Sequence, residues 1–179
     1  MAKTLISTHT ASSDSSIDIT SGIDSTYPVY EFHFVNMHPS TDAKFTFQVD
    51  TGTNTSYNQA IQSTFFYSWH KEDDSSAGIG YEGNNDQANG TSYQPLAGEI
   101  VDSGDADSSI SGILTLYDPS NTTYVKHFNA QTIYFQQDPA QQNAHIAGYV
   151  NTTTALTRIS FKFASGNIDA GTIKMFGVS

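Results

Sequence analysis

Along most of the chain apolar and polar residues alternate over short stretches, and almost nowhere do apolar residues recur at helical spacing. The segment Lys44 to Asp50 shows this most cleanly. Phe45, Phe47 and Val49 fall on one face and Lys44, Thr46 and Gln48 on the other, which predicts a half-buried antiparallel strand. Val29 to Met37 is apolar on both faces, with Tyr30, Phe32 and Phe34 on one and Val29, His33, Val35 and Met37 on the other. That pattern predicts a central buried strand. Ser63 to His70 is a third strand, with Phe65, Tyr67 and Trp69 on one face.

Further strands are predicted at Glu99–Val101, Ile110–Tyr117, Tyr124–Phe128, Gln131–Gln136, His145–Asn151, Leu156–Phe163 and Gly171–Phe176. Turn chemistry separates several of them, at Asp118-Pro119-Ser120-Asn121, Asp138-Pro139 and Ser165-Gly166-Asn167. Between Lys71 and Gly98 lies a long Gly-, Asn-, Asp- and Ser-rich segment that reads as loops around a weak strand near Gly78–Glu82. Only Tyr57 to Thr64 has room for a turn or two of helix. Short strands at roughly ten-residue spacing specify an all-β, two-sheet antiparallel sandwich or a closed barrel; strand number and irregular loops favour a jelly roll over an up-and-down barrel, with an Ig-like sandwich the runner-up. The predicted core includes Phe32, Phe34, Phe45, Phe47, Phe65, Trp69, Leu114, Leu116, Phe161, Phe163 and Ile173.

Residues 1–26 read differently. Ala11 to Thr26 is Ser, Asp, Thr and Ile with little periodicity, although Ile17 and Ile19 alternate as a short edge strand would. The expectation is an N-terminal arm over 1–26 and a sandwich domain over 27–179. Such an arm has too little apolar content to fold alone and would order by adding a strand to a neighbouring subunit. On that reading its deletion leaves a folded sandwich.

Charge narrows the functional classes. The chain has 179 residues, with 18 Asp and Glu against 7 Lys and Arg and a net charge of −11. Such a surface is ill suited to nucleic-acid phosphate or to an anionic membrane. No apolar run is long enough for a bilayer-spanning helix, and the first residues lack the apolar stretch of a secretory signal. The chain has no cysteine, which excludes disulfides, zinc–thiolate sites and thiol nucleophiles. Charged residues make up 14% against the usual ~25%, and 43 residues are Ser or Thr. This is the composition of an extracellular or virion-type β module.

Candidate chemistry is sparse. Ser68-Trp69-His70-Lys71 fits the Ser-x-x-Lys pattern of penicillin-recognising acyl enzymes, but those need a helix to bring the two side chains together, and here a strand points them apart. The six histidines lack metal-ligand spacing, and only a cross-strand pair such as His33 and His127 would join any of them. Asp102, Asp105 and Asp107 form the densest carboxylate cluster, a weak calcium candidate without the glycine and glutamate of an EF-hand, and more simply a solvated hairpin loop. The four Asn-x-Ser/Thr triplets, headed by Asn54, Asn89, Asn121 and Asn151, are what this composition produces by chance. In the Gly80–Gln94 segment, Tyr81, Asn84, Asn85 and Tyr93 interleave rings with amides as glycan-contacting loops do, and as mobile surface loops do. No catalytic residue or cofactor is expected.

Two stretches carry a resemblance: Ser111 to Phe128, containing Leu114-Thr115-Leu116-Tyr117-Asp118-Pro119, and Ser165 to Gly177, containing Gly166-Asn167-Ile168-Asp169-Ala170-Gly171. Both resemble a family of small, mostly uncharacterised proteins encoded by tailed bacteriophages of marine bacteria, cyanobacteria among them. The similarity covers the C-terminal two-fifths best and Tyr30 to Asp50 more loosely. It implies a non-enzymatic virion component, a β-sandwich on the capsid or tail, and the expected role is to decorate or cement the capsid or cap a projection. A tail-associated subunit or a host glycan-binding module is the alternative. The expected partners are further copies of the chain, with three-fold symmetry first, and other virion proteins such as the major capsid protein.

Overall fold

The computed structural model describes residues 2–179, which contain strands and turns and no helix. The strands are β1 (Lys3–Thr10), β2 (Ile17–Ile19), β3 (Val29–Pro39), β4 (Phe45–Thr51), β5 (Ile61–Lys71), β6 (Ala77–Tyr81), β7 (Ala88–Gly90), β8 (Gln94–Pro95), β9 (Ile110–Tyr117), β10 (Lys126–Gln136), β11 (Ala140–Val150), β12 (Leu156–Phe163) and β13 (Ile168–Val178). All pairings are antiparallel. One sheet runs β1-β13-β3-β9-β10-β11-β5-β6, with β7 also on β5, and the other runs β2-β12-β4-β8.

The orders β1-β13-β3-β9 and β2-β12-β4-β8 are the two four-stranded sheets of a jelly roll, a pair of interlocked Greek keys. The remaining strands extend one sheet only. β10 and β11 form a hairpin inserted between β9 and β12, and β5 and β6 form another between β4 and β8. They carry the larger sheet four strands beyond β9, with nothing equivalent in the smaller sheet.

Residues 2–26 are not a separate arm. β1 pairs along β13 from Lys3↔Val178 to Thr10↔Thr172, and β2 pairs with β12 from Ile17↔Phe161 to Ile19↔Ile159. Each closes an edge of one sheet. Ile17, Ile19 and Ile23 are buried in the common core. A strand at a sheet edge needs only a few inward apolar residues to be held, so the low apolar content of this segment suffices.

The inner faces meet in an aromatic core. Phe161 lies 5.6 Å from Phe32, 5.2 Å from Phe34 and 6.1 Å from Phe45, ring centre to ring centre. Phe163 packs on Phe45 at 5.1 Å, and Phe47 meets Phe128 of β10 at 5.1 Å. Every predicted core residue is buried except Trp69, which is half-buried. Met37, expected on the face opposite Tyr30, Phe32 and Phe34, points into the core with them. Asn36 takes φ 51° and shifts the register between Phe34 and Met37, opposite a matching irregularity on β13. There Gly171 has φ 119°, and a Cβ would stand 2.6 Å from the Asn36 carbonyl oxygen, so glycine is required. The outer face of β3 is therefore half-open, with Val35 exposed.

Other boundaries differ for local reasons. Lys126–Phe128 of the predicted Tyr124–Phe128 strand joins Gln131–Gln136 in the single strand β10, because Asn129 and Ala130 continue the out–in alternation, while Tyr124 and Val125 stay outside it. Glu99–Val101 is no strand. Val101 makes isolated bridges to Ala43 and to Gln136, strapping the end of the smaller sheet to β10. Ile61–Thr64 belongs to β5, not to a helical turn. On the outer side of β4 the chain covers itself. Gln48 donates to the carbonyls of Gln59 (3.0 Å) and Ser92 (3.0 Å), while Asp50 accepts from Tyr57 N (2.9 Å) and Gln59 Nε2 (3.1 Å).

The strap is fastened by Tyr134. Its hydroxyl accepts from Gly98 N (2.7 Å) and Glu99 N (2.9 Å) and donates to the Gln142 side-chain oxygen. Burial pushes this phenol far up, and burial is also the first cause of the raised values at Tyr30, Tyr57, Tyr67 and Tyr93. A phenol whose folded pKa exceeds its unfolded ~10 contributes stability that is complete below pH ~10 and lost as pH rises through the folded value. Lys126 works in the opposite sense. It is fully buried, donates to the carbonyls of Tyr124 (2.8 Å) and Thr152 (3.2 Å), and burial lowers its pKa. Its contribution rises with pH between the folded value and the unfolded ~10.4. Five phenols outweigh one amine. The urea midpoint is expected to hold between pH 8 and pH ~10 and to fall steeply above it. A midpoint unchanged through pH ~11.5 would contradict this assignment.

Candidate functional site: an uncharged sheet face

The residues selected from sequence do not converge. Asp102 accepts from Gly104 N (2.8 Å) and turns its own loop. The neighbouring Ser103 is held by Asp42 through its N (2.8 Å) and Oγ (2.6 Å). Asp105 and Asp107 are exposed. Among the described residues no group of three or more His, Cys, Asp or Glu is placed to hold a metal ion. His33 bonds Glu31 at 2.7 Å and packs on Phe176 at 4.7 Å, two strands from His127. Burial opposes ionisation of Glu31, but hydrogen bonds from Lys3 and His33 overcome it and hold the carboxyl below its ordinary value. Ser68 and Lys71 sit at opposite-parity positions of β5, so they face different sides of the sheet, and Lys71 pairs with Asp138 at 2.6 Å.

The four glycan candidates also separate. Tyr81 is exposed on β6 and donates to Asp86, which raises its pKa. Asn84 is exposed in the turn that follows. Asn85 is buried, accepting from Lys44 Nζ (2.8 Å) and donating to the Gly98 carbonyl (2.7 Å), so it is a structural tie. Tyr93 donates to Ser160 Oγ (3.0 Å) and lies under Lys162, 4.2 Å from its ring centre, against the smaller sheet.

Strand register brings a different set together. On the outer face of the larger sheet one continuous row runs Tyr81–Phe66–His145–Gln131–Ile113–His33 across β6, β5, β11, β10, β9 and β3. The adjacent row runs Ile79–Ser68–Asn143–Ile133–Ser111. Phe66 and His145 stack at 5.0 Å with planes 8° apart. Ile79, Tyr81, Phe66, Ile133, Tyr117 and Ile113 are all exposed.

This face carries no charge. The outward positions of β5 are Gln62, Thr64, Phe66, Ser68 and His70, and those of β6 are Ala77, Ile79 and Tyr81. β9 offers Ser111, Ile113, Thr115 and Tyr117, and β10 offers His127, Asn129, Gln131, Ile133 and Phe135. β11 adds Gln141, Asn143, His145, Ala147 and Tyr149. None is Asp, Glu, Lys or Arg, although the chain has 25 of them, 18 acidic and 7 basic. Carboxylates stand only at its borders: Asp74 on His70, Asp86 on Tyr81, and Glu31 on β3. Sequence reasoning missed the face because it assembles from five segments between residues 62 and 149. The only signal in the sequence was that the outward positions of these strands are all neutral.

Compared with known proteins, the chain matches no protein-family model and no curated sequence.

Proposed function

We propose that the chain is a structural subunit of a bacteriophage particle, in which the uncharged face of the extended sheet packs against further copies of the chain or against another particle protein. The observation that carries the reading is that face: exposed aliphatic and aromatic side chains, amides and hydroxyls, with no Asp, Glu, Lys or Arg at its strand positions, on a protein of net charge −11. Interface cores are depleted of charge and enriched in aromatics. Two copies of so acidic a protein repel least where neither presents a carboxylate. The jelly roll suits such a role because its rigid sheets hold the face in one shape. The resemblance of the Ser111–Phe128 and Ser165–Gly177 segments to marine-phage proteins supports looking for that assembly on a virion.

Mass spectrometry of density-purified particles of the encoding phage tests this directly. Peptides of this chain are expected in the intact particle and in repeated copies, with capsid or tail attachment read from disassembled fractions. Their absence from particles, with the chain recovered only in the lysate, would overturn the reading.

A further inference from the structure

The larger sheet extends four strands beyond β9, and the smaller sheet, with four strands in all, does not follow it. Inward positions at the far end are covered only by the strap and the turns before it, and not all of them fully. Tyr67 and Trp69 of β5 point to the same side as the buried Phe65 and would be core in an evenly matched sandwich. Both are half-buried instead. They line an open cleft of about 360 Å³, bounded by Glu99 and Ile100 of the strap, by Gln136 and Gln142, and at the rim by the Lys71–Asp138 ion pair.

The floor is shaped for the two rings. Their partners on β6 are Gly80 opposite Tyr67 and Gly78 opposite Trp69. A Cβ at Gly78 would stand 2.6 Å from the indole, and one at Gly80 3.3 Å from the phenol ring. With glycine at both positions the rings lie over the strand backbone, 5.4 Å apart and inclined by 34°, as one aromatic platform.

Polar groups around the platform are left over from folding. Among the described residues, the Tyr67 hydroxyl and the Glu99 carboxylate have no side-chain hydrogen bond, and Gln136 uses its oxygen to accept from Gln142 and leaves its amide nitrogen unused. Burial raises the Tyr67 pKa, with Glu82 and Glu99 adding to it, so the local field is negative and repels anionic ligands.

We propose that this overhang binds a neutral pyranose sugar: its apolar C–H face would lie on Tyr67 and Trp69, and its hydroxyls would pair with Glu99, Gln136 and the Tyr67 hydroxyl. Sugars join an apolar face to a rim of hydroxyls, and the cleft offers the same two elements side by side. Its volume accommodates about one or two hexose rings. The site faces the opposite side of the sheet from Tyr81, and the inference stands independently of the particle reading.

Trp69 is the only tryptophan, so intrinsic fluorescence reports on this cleft. The experiment is a fluorescence titration of the full chain with lactose, cellobiose, maltotriose and N,N′-diacetylchitobiose. At least one is expected to give a saturable change with a dissociation constant of order 1 mM. Tyr67→Phe removes only an unpaired hydroxyl and should fold as wild type, yet weaken binding several-fold, and Glu99→Ala should weaken it about tenfold. No saturable change with any of the four sugars at about 50 mM would overturn the proposal. So would unchanged affinity in both variants, or backbone amide shifts in the saturated protein that map away from β5, β6 and the strap.

Discussion

Deletion of Met1 to Thr26 is expected to abolish cooperative folding, not to yield a trimmed sandwich. The segment supplies two of the eight jelly-roll strands, one at the edge of each sheet. It also supplies Ile17, Ile19 and Ile23, exposed by 6%, 2% and 3%. Removing a buried aliphatic side chain costs about 2–5 kcal/mol, and three together approach the ~5–15 kcal/mol total stability of a domain. The loss also opens the backbone edges of β12 and β13, which then offer unpaired N–H and C=O groups to other chains. The truncated chain should be insoluble, or soluble without a sharp thermal transition. A soluble truncated protein melting cooperatively within about 5 °C of the full chain would show that the two edge strands are dispensable.

Phe161→Ala is expected to be the most damaging single substitution in the core. Phe161 is fully buried on β12, with Phe32, Phe34 and Phe45 around it on two strands from different sheets. Its truncation removes the contact that joins the sheets and leaves a cavity walled by rings on rigid strands, which collapse poorly. The cost should be about 3–5 kcal/mol. For a domain of this size that corresponds to a fall in melting temperature of roughly 6–20 °C. Thermal unfolding followed by near-UV circular dichroism checks it, and a fall of less than about 3 °C would place the centre of the core elsewhere.

What was legible in the sequence follows from how local each signal is. Strand period is a local property, so β9 and β12 match their predicted ranges and β4 is displaced by only one residue. Strand count and irregular loops then sufficed for the jelly roll. The exchange of Met37 between faces was not legible, because a bulge at Asn36 depends on the matching irregularity at Gly171, 135 positions away. The role of residues 1–26 was hidden for a related reason. A three-residue strand such as β2 shows almost no periodicity, and only the partner strand β12 gives it a place.

Trp69 shows the limit most clearly. Its alternation with Phe65 and Tyr67 places it correctly on the inner face, but inward implies buried only where a second sheet lies opposite, and that is a property of topology. The uncharged face and the overhanging cleft both arise from the four-strand extension, so neither belongs to any one sequence segment. Asn85 failed in the opposite direction. Its exposed-loop composition gave no sign that Lys44 and the Gly98 carbonyl, far along the chain, would tie it inside.

Sedimentation equilibrium of the full chain, beside the double variant Phe66→Glu/Ile133→Glu, tests the central claim most directly. Both residues are about half exposed on the uncharged face, so the substitutions leave the core intact and place like charges where copies would meet. The wild type is expected to sediment as a closed oligomer, with three times the 19.4 kDa chain mass the first expectation, and the variant as a folded monomer of 19.4 kDa. A wild type that stays monomeric at about 100 μM, or a variant that keeps the wild-type mass, would contradict the assignment of this face to assembly.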